Sequence, residues 1–352
     1  YVYSFGKCIF MPADLTAGIE FNQDKLEDNM WGYHRTVDQK VNIGSAFFQN
    51  EWKNEHWGFL IGGRLDKHNL IDHAIFSPRA NLRYNPTENI NLRFSYSSGF
   101  RAPQAFDEDL HVKNVGGNVA MVELADNLKE ERSQSLSASA DIYHRFGAFQ
   151  VNFLVEGFYT KLSDVFALTD GEVVDGILTR TRYNAPGARV MGLTLEGKMA
   201  YLTKFQVQAG VTLQQSHYSE PHVWNKEAPA VKKMMRTPNT YGYFTATYTP
   251  IKPLSIALSG TYTGSMLVPH EPVPGFLEKP ITVNTKDFFD IGLKAAYDFK
   301  LYKSMNLQVN AGVQNIFNAY QNDFDKGADR DSGYIYGPSL PRSFFAGVKI
   351  SY

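Results

Sequence analysis

The chain has 352 residues, of which 43% are hydrophobic and 14% aromatic, and its 35 Lys and Arg against 36 Asp and Glu give a net charge of −1. This balance argues against a nucleic-acid-binding protein, which normally has a basic excess. The single cysteine, Cys8, excludes an internal disulfide framework and a cysteine-built zinc site. Because no apolar stretch approaches the ~20 residues of a membrane-spanning helix, a helical membrane protein is excluded, whereas a transmembrane β-barrel is not.

Alternation of apolar and polar residues is the dominant pattern along the chain. Between Phe205 and Gln214 every odd position is apolar and every even position is Gln, Gly or Thr. Successive residues of a strand point to opposite faces, so each such segment has one apolar and one polar face. We predict about fifteen strands, near 1–10, 13–22, 41–52, 56–67, 75–85, 89–100, 133–146, 148–166, 178–200, 205–218, 238–250, 254–266, 285–299, 305–317 and 342–352.

The connections between these strands alternate between short turns and long loops. In an up-and-down barrel, alternate connections emerge at the same rim, and outer-membrane barrels have short periplasmic turns and long external loops. The last strand then runs toward the short-turn side, which predicts a periplasmic C-terminus. The predicted long loops lie near 23–40, 68–74, 101–132, 167–177, 219–237, 267–284 and 318–341.

The alternation would also fit a soluble sandwich, which buries one face of each sheet and exposes the other. Two features favour a membrane barrel. Many segments reach the ~9–11 residues that cross a bilayer at a tilt, and the apolar face is almost free of charges. The polar face is predicted to line a wet or plugged lumen, because unpaired burial of its charges would cost several kcal/mol each. These charges are Asp141, Glu156, Glu196, Lys294 and Asp298.

Four short motifs resemble those of TonB-dependent outer-membrane receptors, and they occur in the family's order. Ser98–Pro103 resembles the Gly-Phe-Arg-Ala-Pro box. Asn184–Ala188 followed by Met191–Glu196 resembles the Asn-x-x-x-Ala…Gly-x-Glu-Leu segment, although the Glu falls later here. Asn315-Ile316-Phe317-Asn318 is similar to the Asn-Leu-Phe-Asp box. The segment 341–352 is similar to the closing Gly-Arg-x-Phe strand, with Pro341 in place of Gly.

The resemblance implies a 22-stranded transmembrane up-and-down antiparallel β-barrel with an N-terminal plug folded inside it. The fold class expected for this chain is therefore all-β, with about 15 of those strands present, and residues 1–352 are the C-terminal portion of one barrel domain. The chain begins at Tyr1 without a methionine or a signal peptide pattern. We therefore expect the plug, and the segment that contacts the TonB complex, to lie upstream.

The last strand is predicted to be the outer-membrane sorting signal, because it has alternating apolar residues and a terminal aromatic. The alternative is a strand that merely happens to be last. The residues assigned to the signal are Phe344, Val348, Ile350 and Tyr352.

Several residues of the long loops are candidates for ligand binding. Arg101 has a planar guanidinium fork that suits an anionic group, although it could equally pair with Asp107 or Glu108, and the box around it could simply end a strand. His111 follows the box, as an iron-ligating His does in haem receptors of the family, but the second haem box reads Ala125-Asp126-Asn127-Leu128 and departs at two of four positions. The simpler interpretation, which we favour, is an ordinary polar loop residue.

Loop aromatics and a cluster of acidic residues complete the candidates. Trp31, Trp224, Tyr334 and Tyr336 could line a ligand vestibule, or belong to the interfacial aromatic girdle. The segment 323–333 has four carboxylates, but their spacing is not that of an EF-hand, so we interpret it as a solvated acidic loop. No metal site and no cofactor are predicted, and no catalytic motif is found.

The resulting hypothesis is a receptor in the bacterial outer membrane, surrounded by outer-membrane lipids. It would take up a scarce solute too large for porins, such as an iron–siderophore complex, haem or cobalamin, with energy relayed by TonB. It is not expected to be an enzyme or to bind nucleic acid. The alternatives are a passive porin or specific channel without a plug, and an enzyme or adhesin on a barrel of about 10–12 strands.

Overall fold

One large antiparallel sheet forms most of the protein, and along its main path each strand pairs with the next in sequence order among its members, which is an up-and-down topology. The computed structural model describes residues 1–33, 35–103, 119–169, 172–174, 177–302, 304–338 and 340–352. Within these ranges no helix is long and apolar enough to span a membrane. The path comprises β1 (Val2–Cys8), β2 (Met11–Met30), β3 (Arg35–Lys53), β4 (Trp57–His68), β5 (Ala74–Thr87), β6 (Ile90–Arg101), β8 (Glu131–Phe146), β9 (Phe149–Ser163), β13 (Ala188–Tyr201), β14 (Phe205–His222), β16 (Thr240–Ile251), β17 (Leu254–Thr263), β20 (Phe288–Tyr302), β21 (Met305–Gln314) and β22 (Ser343–Ser351).

Shorter elements occupy the long connections. They are the 3₁₀ turn η1 (Trp31–Tyr33) and the strands β7 (Val119–Leu124), β10 (Val165–Leu168), β11 (Glu172–Val174), β12 (Ile177–Ala185), β15 (Val231–Lys233), β18 (Leu267–His270) and β19 (Ile281–Asn284). Strands β7, β10, β11 and β12 form a small separate sheet, β18 pairs with β19, and β15 extends the main sheet at β14.

The predicted number of main strands is confirmed, since the path contains fifteen strands within the described ranges, but the hairpin of β2 and β3 differs from the prediction. The loop predicted at 23–40 is mostly a ladder that continues to the pair Met30↔Arg35. The adjacent strand β4 pairs with β3 only as far as the pair Ile43↔His68. Beyond that point the face that carries Ile19 and Phe21 continues with polar residues, from Gln23 to Asn29, so the apolar row that marks a lipid-facing strand ends although the strand continues.

The strand predicted at 178–200 is two strands, β12 and β13, because the chain breaks at Pro186-Gly187. Proline cannot donate to the ladder. At Gly187 the backbone passes so close to the carbonyl oxygen of Leu162 that a Cβ atom would collide with it. This break sends β12 out of the main sheet and into the small sheet with β10, where Leu168 pairs with Arg182.

Gly187→Ala is expected to destabilise the barrel by about 1–3 kcal/mol, because the added methyl group meets backbone rather than a movable side chain. Gly44→Ala is the matched control, since a Cβ atom there has nothing within 4 Å. Urea unfolding of both variants measures the difference. Equal midpoints would show that the close approach at Gly187 is not required.

One face of the main sheet is a continuous apolar surface. The cross-strand register aligns Leu258, Leu293, Val313 and Phe344 on four successive strands. Large hydrophobic side chains of this face are exposed, among them Leu293, Val309 and Ile19. Soluble proteins rarely expose apolar surface on this scale, which indicates contact with lipid.

The opposite face is polar and connected by hydrogen bonds. On β13, Lys198 forms an ion pair with Glu196 at 2.7 Å. The hydroxyl group of Tyr243, on β16, donates a hydrogen bond to the same carboxylate. On β4, Arg64 bonds Asp66 at 2.7 Å, and Asp66 accepts from Ser45 at 2.6 Å. Of the charges predicted for the polar face, Asp141, Glu196 and Asp298 therefore have hydrogen-bond partners there, which compensates their desolvation.

Two asparagines of the sequence motifs hold connections in place. Asn184 bonds the backbone of Lys129 in both directions, at 2.7 and 3.0 Å, and donates to the carbonyl of Asp164 at 2.8 Å. Asn315, with a positive φ of 49°, donates to the carbonyls of Ala319 and Leu340 at 3.1 and 3.0 Å. The two motif asparagines therefore hold the backbone of the long connections in place at the rim.

Candidate functional site

A cavity of about 580 Å³ lies beyond the ends of the main strands, at the rim opposite the short turns. The end of β6, the small sheet, the extension of β14 and the end of β18 enclose it. Its lining is part apolar and part charged, and its size falls within the roughly 300–1,000 Å³ of ligand pockets. The lining residues are Arg101, Val165, Phe166, Ala167, Leu168, Arg180, Arg182, Ala185, Pro186, Tyr218, His222, Trp224, Met234, Met235, Arg236, Pro269 and Glu271.

The cavity lining is rich in cations, with four arginines against one carboxylate, Glu271. Arg180 and Arg182 lie two positions apart on β12, so they project from the same face of that strand. The other two, Arg101 and Arg236, come from the end of β6 and from the connection after β15. Such an excess of positive charge in a partly enclosed space favours an anionic ligand.

Contacts with aromatic and acidic groups orient the arginines. The guanidiniums of Arg101 and Arg182 lie over the ring of Phe166, at 4.8 and 5.5 Å from its centroid. Arg101 also pairs with Glu131 at 3.5 Å. Arg180 pairs more loosely with Glu271, at 3.8 Å. Cation–π contacts and ion pairs of this kind limit side-chain motion, so the guanidinium groups are preorganised for a ligand.

Two buried donors of cavity-lining residues have no hydrogen-bond partner among the described residues. They are Nε of Arg180 and Nε1 of Trp224. A buried unsatisfied donor costs about 1–3 kcal/mol, so native structures rarely retain one without a reason. An acceptor atom of a bound ligand would satisfy both groups.

A small loop core supports one wall of the cavity. Met266, Val268 and Tyr334 are buried together, and the ring of Tyr334 stacks on His270 with centroids 3.8 Å apart. Arg236 donates to the carbonyl oxygens of Ile335, at 2.8 Å, and of Gly333. The packing of this core therefore positions a cavity-lining arginine.

The acidic segment 323–333 is only partly the solvated loop that we predicted, because Asp323 and Asp329 are exposed but Asp325 and Asp331 are not. Asp325 is almost fully buried and accepts from Nε2 of His270 at 2.9 Å. Asp331 is also buried and accepts the backbone N–H of Glu271 at 2.9 Å. These carboxylates cross-link two connections, and in the described ranges no group of His, Cys, Asp or Glu is arranged to hold a metal ion.

The structure places the predicted ligand residues in three different settings. Arg101 and Trp224 line the cavity. Tyr334 is 4% exposed, inside the loop core, and Tyr336 packs against that core. Trp31 is 83% exposed, at the tip of the β2–β3 hairpin. His111 lies outside the described residues, as do Asp107 and Glu108, so its role stays a prediction.

Tyr336 contacts the acidic segment 323–333 through its hydroxyl group. It donates to both carboxylate oxygens of Asp323 at 2.6 Å. Burial, together with this carboxylate, raises the pKa of Tyr336 well above its ordinary value. The hydrogen bond to the carboxylate thus favours the protonated form of the hydroxyl.

Sequence reasoning missed Arg180, Arg182 and Arg236. The alternation Arg180-Thr181-Arg182 was an available signal, since it places both arginines on one strand face, but we included it in one long barrel strand. Arg236 offered no local signal, because its position depends on carbonyl groups almost a hundred residues away, at Gly333 and Ile335.

The predicted sorting residues lie on β22, at an edge of the main sheet. Phe344, Val348, Ile350 and Tyr352 are all strongly exposed. Three of them continue apolar rows of β21, as the pair Val309↔Val348 illustrates. Their role in sorting stays a prediction.

An up-and-down sheet with an apolar membrane-facing surface, a polar opposite face and a ligand-sized cavity at one rim defines a barrel of the outer-membrane receptor class. A family model described as TonB dependent receptor-like, beta-barrel, matches residues 3–316. The chain therefore belongs to this family, whose members are transport receptors rather than enzymes. No curated protein sequence matches the chain.

Solved structures with the same fold include three siderophore receptors. The ferric enterobactin receptor PfeA of Pseudomonas aeruginosa aligns with a TM-score of 0.68 and 18% identity, over 98% of this chain and 52% of its own. The siderophore receptor PirA of Acinetobacter baumannii gives 0.69 and 16%, over 99% and 53%. The ferric-catecholate import receptor Fiu of E. coli K12 gives 0.66 and 14%, over 99% and 53%. The chain spans about half the length of these receptors.

Proposed function

We propose that the protein is part of a TonB-coupled outer-membrane receptor that imports a ferric siderophore, and that the cavity at the rim binds this ligand. The observation that supports the proposal best is the pair of unpartnered donors on Arg180 and Trp224, in a cavity with an excess of arginine. An anionic chelate with aromatic iron ligands would supply acceptor oxygens for the donors, negative charge for the arginines and flat rings for the aromatic side chains.

The named relatives support the same ligand class, since they are a ferric enterobactin receptor, a siderophore receptor and a ferric-catecholate import receptor. At 14–18% identity they establish the fold, and the ligand assignment depends on the cavity. Haem is the alternative that a specific residue favours, because His222 lines the cavity and an imidazole can ligate haem iron.

In this proposal, the barrel architecture also determines the path along which the ligand is transported. The ligand binds at the rim of the long connections, which faces the outside in outer-membrane barrels. Passage along the polar face then requires a gate that TonB opens with energy from the inner membrane. We propose that the segments that form this gate and contact TonB lie upstream of Tyr1, because the chain spans about half of each related receptor.

The test measures binding of ferric enterobactin to the full-length receptor. Arg180→Gln is expected to weaken binding by roughly tenfold to a hundredfold, because a charge-assisted hydrogen bond contributes about 1.5–3 kcal/mol. Trp224→Phe, which keeps the aromatic ring and removes only the N–H, is expected to weaken binding several-fold.

Lys204→Gln is the matched control, since Lys204 lies in a short turn at the opposite rim. Unchanged affinity in both cavity variants, with the barrel folded, would contradict the siderophore site. Binding of haem instead, abolished by His222→Ala, would support the haem alternative.

A further inference from the structure

A shallow open groove of about 880 Å³ interrupts the apolar face of the main sheet. Its floor is a cross-strand row in which Ala138 pairs with Gly157 and Gly157 with Leu193. A Cβ atom at Gly157 would have nothing within 4 Å. The large side chains around this floor are Phe94, Leu136, Tyr159, Met191 and Leu213. A depression in a membrane-facing surface has room for a hydrocarbon chain.

A row of basic residues lies directly above the groove on the same face. The register pairs Lys161 with Arg189, Arg189 with His217, and His217 with Lys233, across four adjacent strands. The row is two residues, about 6.6 Å, beyond the groove row Tyr159–Met191. None of the salt bridges formed by described residues involves Lys161, Arg189 or Lys233.

The position of this row along the strand matches the boundary of the membrane. On β9 the outward residues from Phe149 to Tyr159 are apolar or Gly, and Lys161 is the first charge. Ten residues span about 33 Å along a strand, which at a tilt of about 40° gives an apolar band close to 25 Å tall. The row therefore lies at the interface, on the side of the long connections, where lipid head groups are found.

We propose that this groove and the basic row together bind one phosphate-bearing lipid of the outer leaflet. Its acyl chain would lie in the groove between Tyr159 and Leu193. Its phosphate would be held by Lys161 and Arg189. The charge complementarity is specific, because the outward positions paired in the basic row and in the two rows below it include no carboxylate. Arg suits phosphate through its bidentate fork, and long basic side chains extend readily to the interface.

The test is native mass spectrometry of the full-length receptor, delipidated in detergent and then supplied with palmitoyl-oleoyl-phosphatidylglycerol. We expect the receptor to retain this lipid. Lys161→Gln combined with Arg189→Gln should lower its occupancy at least tenfold, and Gly157→Leu, which fills the groove, should do the same. The expected loss in both variants distinguishes a joint site from attraction by charge alone.

Three comparisons make the inference falsifiable. Gly197→Leu is the control for the groove, because Gly197 is an equally open position on the same strand face as Leu193, outside the groove. Equal lipid loss in Gly197→Leu, equal retention of dioleoylglycerol, or retention of inorganic phosphate alone at the same strength would each overturn the proposal. So would a dimer mass in place of the lipid, which would mean that a second copy covers the groove.

The outcome of the lipid-binding test is independent of siderophore binding. The lipid-facing variants should leave ferric enterobactin affinity unchanged, since their side chains lie outside the cavity lining. Failure of the lipid test therefore leaves the proposed transport function intact, and the converse also holds.

Discussion

Leu293→Arg is expected to destabilise the barrel by about 2–4 kcal/mol, because it places a charge near the middle of the membrane-facing surface. Leu293 pairs with Leu258 and Val313 in an apolar row, and its side chain is exposed. Val309→Arg, in the adjacent strand, should have a similar effect. Folding equilibria of the full-length receptor in lipid vesicles, measured in urea, give these free energies.

Gln308→Arg is the matched control for the lipid-facing variants. Gln308 is next to Val309 but on the polar face, where it donates to Asp298 at 2.9 Å. An arginine at this position can pair with the same carboxylate, so the change should be nearly neutral. Equal costs for Val309→Arg and Gln308→Arg would contradict the assignment of the two faces.

His270→Ala is expected to loosen the loop core, at a cost of about 3 kcal/mol. The mutation removes a stacked ring from Tyr334 and leaves the buried carboxylate of Asp325 without its imidazole partner. Cleavage of the connection 318–341 by a protease, followed over time in the folded receptor, measures this local opening. Asp325→Ala should act in the same direction.

A double replacement separates the hydrogen bond from general packing. When both partners become apolar, as in His270→Leu with Asp325→Leu, neither side chain leaves the other unpaired and only the backbone N–H of Asp331 loses an acceptor. The loss should therefore be smaller than the sum of the losses in His270→Leu and Asp325→Leu alone. The single variants should also weaken siderophore binding, because the loop core positions Arg236. Additive effects of the two changes would contradict a coupled pair.

Much of the barrel wall could be predicted from the sequence, because lipid on one side and polar surroundings on the other impose a period of two on every strand. That pattern identified the main strands and the two faces. It failed in the β2–β3 hairpin beyond the pair Ile43↔His68, where the lipid-facing row becomes polar although the ladder continues. It also failed at 178–200, where the pattern continues across a break at Gly187.

The sequence by itself therefore determined the class of fold, the family resemblance and the membrane-facing residues, since each of these depends on local order along a strand. Only the tertiary structure decided the site. Arg101 ends β6, Arg180 lies between β9 and β13, and Trp224 and Arg236 lie between β14 and β16. They meet because the sheet brings the strand ends to one rim. The burial of Asp325 and Tyr334 was likewise set by segments far away in sequence, such as the one containing His270. Contacts of this kind have no local pattern, so no periodicity could reveal them.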